Sequence, residues 1–326
     1  MKPYASLSLD LDNAWSYLKI HGGTSWQTFP SYLDRVVPRV LDFLAQRDLT
    51  ITVFVVGQDA ALEKNRESLA SIARAGHEIG NHSFDHEPWI AHAEYRAVRD
   101  ELDRAHAAIA DATGREPRGF RGPGFATSQT LLDALVDGRY VYDASHLPTF
   151  IGPLSRWYYF RHADLSPEER QERHSLFGHF TDGFKRNAAH LVRTSRGAIA
   201  EIPVTTMPVV RTPIHCSYLL YLDAVSPRLA DAYFAFALNL CRISGVEPSL
   251  LLHPLDFMGS DDGLDDLRFF PGMSTPADRK IETVSRFIAL YRRRFRVGTM
   301  IDHAERVLQS AGLATNDAGV SIGNVV

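Results

Sequence analysis

Three short stretches of this sequence carry side chains able to do metal or acid–base chemistry: Asp10-Leu11-Asp12, Asn81-His82-Ser83-Phe84-Asp85-His86 and Leu250-Leu251-Leu252-His253-Pro254-Leu255-Asp256. In the first, the period-two alternation of an extended chain turns both carboxylates to one side, where they can face a common pocket. An acidic pair after a strand more commonly caps a turn or helix. In the second, two histidines four apart on one helical turn can present imidazoles to a single divalent ion. The spacing is a weak signal by itself, since 14 histidines in 326 residues give roughly 0.6 such pairs by chance. A carboxylate from another strand end, Asp12, completes the two-histidine, one-carboxylate set of hydrolytic metal sites that keep positions open for water. In the third, His253 closes an apolar strand, where a satisfied structural histidine is the commoner occupant. It falls at the same end of the sheet as the other two stretches, which favours a functional role.

The elements that must position these groups alternate regularly. Strand-like runs are expected at Ser6–Asp10, Thr50–Val56, Glu78–His82, Gly119–Arg121, Tyr140–Asp143, Ala198–Val204, Ser249–His253 and Arg296–Met300. Between them Leu33, Val36, Val37, Val40, Leu41 and Leu44 recur at helical spacing, with Pro38 implying a late start or a kink. Further helices are expected at Asn65–Ala75 closed by Gly76, His92–Thr113 followed by Gly114, Ser226–Ser244 and Ala277–Arg294. Alternation of this kind predicts an α/β protein with a parallel sheet or barrel, whose active site lies where strand ends and following loops converge.

One segment breaks the rhythm. Arg156–Arg196 carries eight Lys or Arg against five Asp or Glu, with Trp157, Tyr158, Tyr159, Phe160, Phe177, Phe180 and Phe184. It reads as a helical insertion over about 150–197, with Ser166, Pro167, Glu168 and Glu169 as a helix start. Its basic and aromatic mixture suits covering the pocket, meeting a phosphate or touching a membrane surface, beside the plainer reading of a helical excursion. His162, His174, His179 and His190 within it lack ligand-like spacing. Residues from Thr315 read as a loose tail, which leaves 1–312 as one domain and 313–326 outside it.

Composition narrows the class. The chain is 45% hydrophobic and 23% charged, with no apolar run long enough to span a bilayer. A net charge of −4 speaks against a nucleic-acid partner, which would call for a basic footprint. The N-terminal MKPYASLSLDLDN enters a strand at once rather than a secretory pattern, so a cytoplasmic protein is expected, at most peripheral to the inner membrane surface. Cys216 and Cys241 cannot form a disulfide framework and read as core residues. Nothing in the sequence specifies an oligomer.

The ordered set SLDLDN, NHSFDH, FRGPG, YDAS and LLHPLD resembles the motifs of the polysaccharide deacetylase family, the NodB-homology or carbohydrate esterase type. The resemblance implies a distorted (β/α) barrel of seven or eight units that removes an acyl group from an N-acetylated amino sugar or sugar conjugate, free or phosphate- or lipid-linked. It implies that Asp12, His82 and His86 bind a divalent metal, zinc foremost with cobalt or nickel as alternatives. It further implies Asp10 as general base held by Arg121, and His253 as general acid oriented by Asp143. Two features depart from the family pattern: Leu11 separates the aspartates, with Asn13 in place of the usual glycine, and Gly124 stands where an aromatic is common. The Gly124 N–H can still serve as an oxyanion donor. Trp89 and the Phe269-Phe270-Pro271 run are candidates for walling the sugar site, with packing as the alternative. Deformylation, hydrolysis of another non-peptide amide, and a catalytically silent carbohydrate-binding module are the competing readings.

Overall fold

The computed structural model describes residues 2–22, 25–153, 180–270, 272–316 and 319–322. Strand β1 (Tyr4–Asp10) is the hub of the sheet. Its second half pairs with β2 (Thr52–Val55), its middle with β8 (Ser249–Leu252) and its first residues with β9 (Arg296–Gly298), all parallel. Beyond β2 come β3 (Glu78–Asn81), β4 (Gly119–Phe120), β5 (Tyr142–Asp143) and β7 (Ala198–Glu201), again parallel, with β6 (His190–Arg193) antiparallel on the outer edge of β7. The two ends of this sheet approach each other. The Thr205 N–H donates to the Ser249 carbonyl at 3.1 Å, and the Ser249 N–H donates to the Thr205 hydroxyl at 2.7 Å. The sheet therefore curls into a barrel, bridged by the chain that leaves β7. Every expected strand coincides with one of these, though most are shorter.

Alternation along β1 builds the two faces. Leu7 and Leu9 join the large apolar cluster with the helices, while Ser8 and Asp10 meet Arg121, which reaches them from β4's end across the interior. Small residues make room inside. A side chain at Gly80 would lie 2.4 Å from the Phe54 ring, and one at Gly119 would lie 1.8 Å from the Tyr142 ring. Phe54 and Tyr142 meet edge to face, and the Arg121 guanidinium lies 4.4 Å from the Phe54 centroid. Below them the barrel is plugged by the start of a C-terminal helix, Met300–Ser310. The Ile301 N–H donates to the Glu78 carboxylate at 3.0 Å and the Met300 N–H to the Thr52 hydroxyl at 2.7 Å, which sets an acid against a helix N-terminus.

The outer helices follow the apolar stripes. Helix α1 (Ala14–His21) is followed by α2 (Leu33–Ala45), which runs through Pro38 without ending; burial of Leu33, Val36, Val37, Val40 and Leu44 offsets the missing backbone bond. Helix α3 is Tyr95–Thr113, three residues shorter at its start than expected because a 3-10 turn occupies Pro88–His92. Helices also occupy Cys216–Val225, Pro227–Ile243 and Ala277–Arg294. The expected loose tail is a hairpin instead: Leu313–Asn316 pairs antiparallel with Gly319–Ile322. Leu313 and Val320 pack against the cluster containing Met300, Ala304 and Leu308, an apolar anchor that small neighbouring residues obscured.

Of the insertion, Phe180–Phe184 forms a 3-10 turn and His190–Arg193 the edge strand β6. Trp157, Tyr158, Tyr159, Phe160, Phe177, the helix start at Ser166 to Glu169, and His162, His174 and His179 lie outside the described residues, as does Pro271. Among the described residues, no helix is long and apolar enough to cross a membrane.

Candidate active site

Asp12 stands two residues past β1, at the start of α1. The Asn13 side chain caps α1 by accepting from the Ala14 N–H at 2.8 Å, accepts from the Tyr32 N–H at 3.1 Å, and donates to the Asp59 carboxylate at 2.7 Å. The Tyr32 hydroxyl donates to the Asp12 carbonyl at 2.6 Å. Asparagine suits this place because it both accepts and donates. The turn is thereby held from both sides, which fixes the direction of the Asp12 carboxylate.

His82 and His86 occupy a loop after β3, not the helical turn expected from their spacing. Ser83 and His86 both lie in the left-handed region, at φ of 62° and 54°. Tertiary hydrogen bonds hold them there. The Gly57 N–H donates to the Ser83 carbonyl at 2.8 Å, and the Glu101 carboxylate accepts from the Phe84 N–H at 2.9 Å and the Asp85 N–H at 2.7 Å. The result is a 5.0 Å separation between the two imidazole centroids, with Nε2 of His86 2.9 Å and Nε2 of His82 3.3 Å from Asp12 Oδ1.

These three residues are all buried or nearly so, and their ligand atoms lie within 4.8 Å of one another. Adjacent donors on a tetrahedral ion with bonds of ~2.0–2.1 Å stand ~3.3 Å apart, so the spacing fits one divalent ion. The tautomer also fits. His82 Nδ1 lies 2.6 Å from the Arg121 carbonyl, which can only accept, so Nδ1 carries the proton and Nε2 keeps its lone pair for a ligand. Burial pushes the Asp12 carboxyl up, but the two imidazoles beside it outweigh burial and hold it well below the usual carboxylate range. Burial lowers His86, whereas for His82 the Asp10 and Asp12 carboxylates overcome burial and raise it.

Beside this triad, the fully buried Arg121 donates from Nη1 to Asp10 Oδ1 at 2.7 Å and to the Ser8 hydroxyl at 2.8 Å, and from Nε to the Ala144 carbonyl at 2.9 Å. Asp10 is thereby fixed with its carboxylate close enough to His82 to raise that imidazole. His253 follows β8 and begins a 3-10 turn, Pro254–Asp256. Its Nδ1 lies 3.1 Å from the Ser217 hydroxyl, which in turn donates to Asp256 Oδ1 at 2.8 Å.

Asp143, expected beside His253, faces other groups. It accepts from the Ser145 hydroxyl, which itself accepts from the Gly122 N–H at 2.8 Å, and its second oxygen faces Glu201. The cause is register: Asp143 and Glu201 are directly paired across the adjacent strands β5 and β7. Asp143 thus braces the Phe120–Gly124 loop, and Asp256 takes the place beside His253.

Several site residues escaped sequence reading. Tyr17 on α1 has a buried hydroxyl without a hydrogen-bond partner among the described residues, and burial together with the carboxylates of Asp12, Asp256 and Asp10 pushes its ionisation far up. His215 has its ring centroid 6.2 Å from that of His253; burial, then His253 and Arg121, push its imidazole down to about 3. Tyr17 and His215 thus link the triad, Arg121 and His253 into one neighbourhood. Neither has a motif that would have marked it. Asp256 did have one, since an acid three residues after His253 suits a capping turn. Gly124 is exposed at φ +60°, and Trp89 is half-buried in the Pro88–His92 turn. Phe270 packs on Tyr17 with ring centroids 5.2 Å apart, and Phe269 lies 3.8 Å from His21.

Residues 20–142 match the sequence profile described as polysaccharide deacetylase. Over these residues the chain is similar to the polysaccharide deacetylase family. It is 28% identical over 163 residues to a peptidoglycan deacetylase of Helicobacter pylori, covering 48% of this chain and 52% of that one. It is 31% identical over 101 residues to a peptidoglycan-N-acetylmuramic acid deacetylase of Bacillus subtilis, covering 31% of this chain and 37% of that one. The chain thus spans about half of the first relative's length and little more than a third of the second's. The fold matches along nearly all of the chain: a solved structure from Mycobacterium smegmatis, assigned to the polysaccharide deacetylases, superposes with a TM-score of 0.61 at 19% identity, covering 95% of this chain and 92% of that one.

Proposed function

We propose that this protein is a polysaccharide deacetylase, a metal-dependent N-deacylase that removes acetyl from an N-acetylated amino sugar. The convergence of Asp12, His82 and His86 beside an Asp10 carboxylate clamped by Arg121 is the observation that carries this reading. Asp12, His82 and His86 would hold a divalent ion, zinc first among the candidates, which would supply polarisation of an acyl carbonyl and a lowering of the pKa of water from ~15.7 toward ~7.

The protein's own groups supply the rest. Asp10, held by Arg121 and Ser8, takes the proton of the attacking water. The Gly124 N–H stabilises the oxyanion, and one such donor is typically worth ~3–4 kcal/mol. His253 gives a proton to the departing nitrogen, which must leave as an amine. Trp89 and the Phe269–Phe270 pair border the sugar. The substrates named for the two curated relatives make a peptidoglycan glycan the first one to try, alongside free, phosphate-linked and lipid-linked N-acetylhexosamines.

The deciding experiment is a screen of N-acetylated and N-formylated amino sugars, from monosaccharides to glycan strands, with released acetate and formate measured with and without a chelator. Chelator-sensitive acetate release is expected. Formate release alone would replace the acetyl reading with deformylation, and no release from a metal-loaded protein would leave a carbohydrate-binding module.

A further inference from the structure

The turn after β8 shows how the imidazole of His253 is held, and by a group that the family resemblance does not supply. Ser217 lies on the helix Cys216–Val225, distant in sequence from Asp256 but within 2.8 Å of its Oδ1. Asp256 Oδ2 accepts from the His253 backbone N–H at 2.8 Å, so the carboxylate clamps the turn with one oxygen and meets Ser217 with the other. The buried Lys280 fixes the same turn from beneath, donating to the Leu255 carbonyl at 2.7 Å and the Met258 carbonyl at 2.9 Å.

Proton counting then assigns the hydrogen bonds. A serine hydroxyl has one proton to donate and lone pairs to accept with. An ionised Asp256 only accepts, so the Ser217 proton points to Asp256, and the 3.1 Å contact between Ser217 Oγ and His253 Nδ1 requires the ring to donate. We infer that Ser217 is a positioning residue, a hydroxyl bridge from Asp256 that keeps the proton of neutral His253 on Nδ1 and leaves Nε2 as the atom that takes up and delivers protons.

This assignment deepens the proposed function by naming the atom of His253 that serves the leaving nitrogen, and in that respect it rests on that reading. The hydrogen-bond assignment itself is independent of turnover and can be read directly. In protein labelled with ¹⁵N-histidine, two-bond ¹H–¹⁵N correlation spectra distinguish the tautomers, and the His253 signals are those lost in His253→Gln. The expected result at a pH where the ring is neutral is the Nδ1–H form in the wild type. Ser217→Ala should shift it toward the Nε2–H form that free histidine favours, and Ser217→Thr, which keeps the hydroxyl, should retain Nδ1–H. An Nε2–H form in the wild type, or an unchanged Nδ1–H form in Ser217→Ala, overturns the bridge.

On a soluble N-acetylglucosamine oligosaccharide, Ser217→Ala is expected to lower kcat by roughly 10–100-fold with KM unchanged, the usual effect of losing a partner that fixes a functional imidazole, and Ser217→Thr to restore it. A loss confined to KM, or no rescue by threonine in a folded protein, overturns the positioning role. The Nδ1–H tautomer in a protein that releases no acetate would support the bridge while removing the proposed function.

Discussion

The barrel holds buried carboxyls at two strand-end sites, and their surroundings push them in opposite directions. At Asp12 a carboxylate lies against two imidazoles, and these hold it ionised despite burial. At Asp143 and Glu201 two carboxyls lie against each other. Burial and mutual repulsion push Asp143 well above its ordinary value, and burial raises Glu201 to about 7. Asp143 Oδ2 and Glu201 Oε2 are buried with no donor among the described residues, an arrangement that one shared proton satisfies. The same residue type at two strand ends of one barrel is therefore held ionised beside imidazoles in one corner and pushed toward its neutral form beside another carboxyl in the other. Partners, not identity, set the role.

The sharpest way to break this contrast is the same change in both corners. Asp12→Asn should abolish retention of a divalent ion through dialysis, and amide hydrolysis with it, because an uncharged amide replaces the one anionic ligand. Full metal occupancy by elemental analysis in that variant would dissolve the triad. His253→Ala comes next: turnover should fall by roughly 10²–10⁴ with metal content unchanged, and loss of metal would move His253 out of the acid role.

The brace predicts a smaller effect in stability. Because burial raises Glu201 to about 7, the folded Asp143–Glu201 pair keeps its shared proton above glutamate's ordinary 4.5, and the unfolded chain binds fewer protons between those values. Stability should thus fall as pH rises through that window, by on the order of 1–3 kcal/mol. Glu201→Gln should flatten the dependence, and denaturant melts at pH 5 and pH 8 compare the two; an identical slope in both proteins would mean the pair is ionised. The smallest change belongs to Asp143→Asn, whose amide mimics a neutral carboxyl by accepting from Ser145 and donating to Glu201. Turnover should stay within about threefold of wild type. A loss as large as that of His253→Ala would restore Asp143 as an ionised partner of His253.

Legibility differed in the same two corners. The triad was readable because its members sit at the ends of strands whose apolar alternation is plain, and because residue type limits what two histidines and an aspartate can do together. The loop that joins the two histidines was misread as a helical turn. Its left-handed Ser83 and His86 are held by Gly57 and Glu101, contacts with other elements that leave no local pattern. The Asp143 misplacement has a similar origin. Nothing local says which strand lies beside β5, and once β7 does, register delivers Glu201 to Asp143 and leaves His253 to Asp256 and Ser217.

By itself the sequence determined the alternation of strands and helices, the strand ends that carry ionisable groups and the chemistry those groups can perform, because periodicity and side-chain type are local properties. Only the tertiary structure decided which carboxyl meets an imidazole and which meets another carboxyl. Strand order and the closing of the barrel bring together residues far apart in the chain, and the charge of a buried group is set by what it meets there.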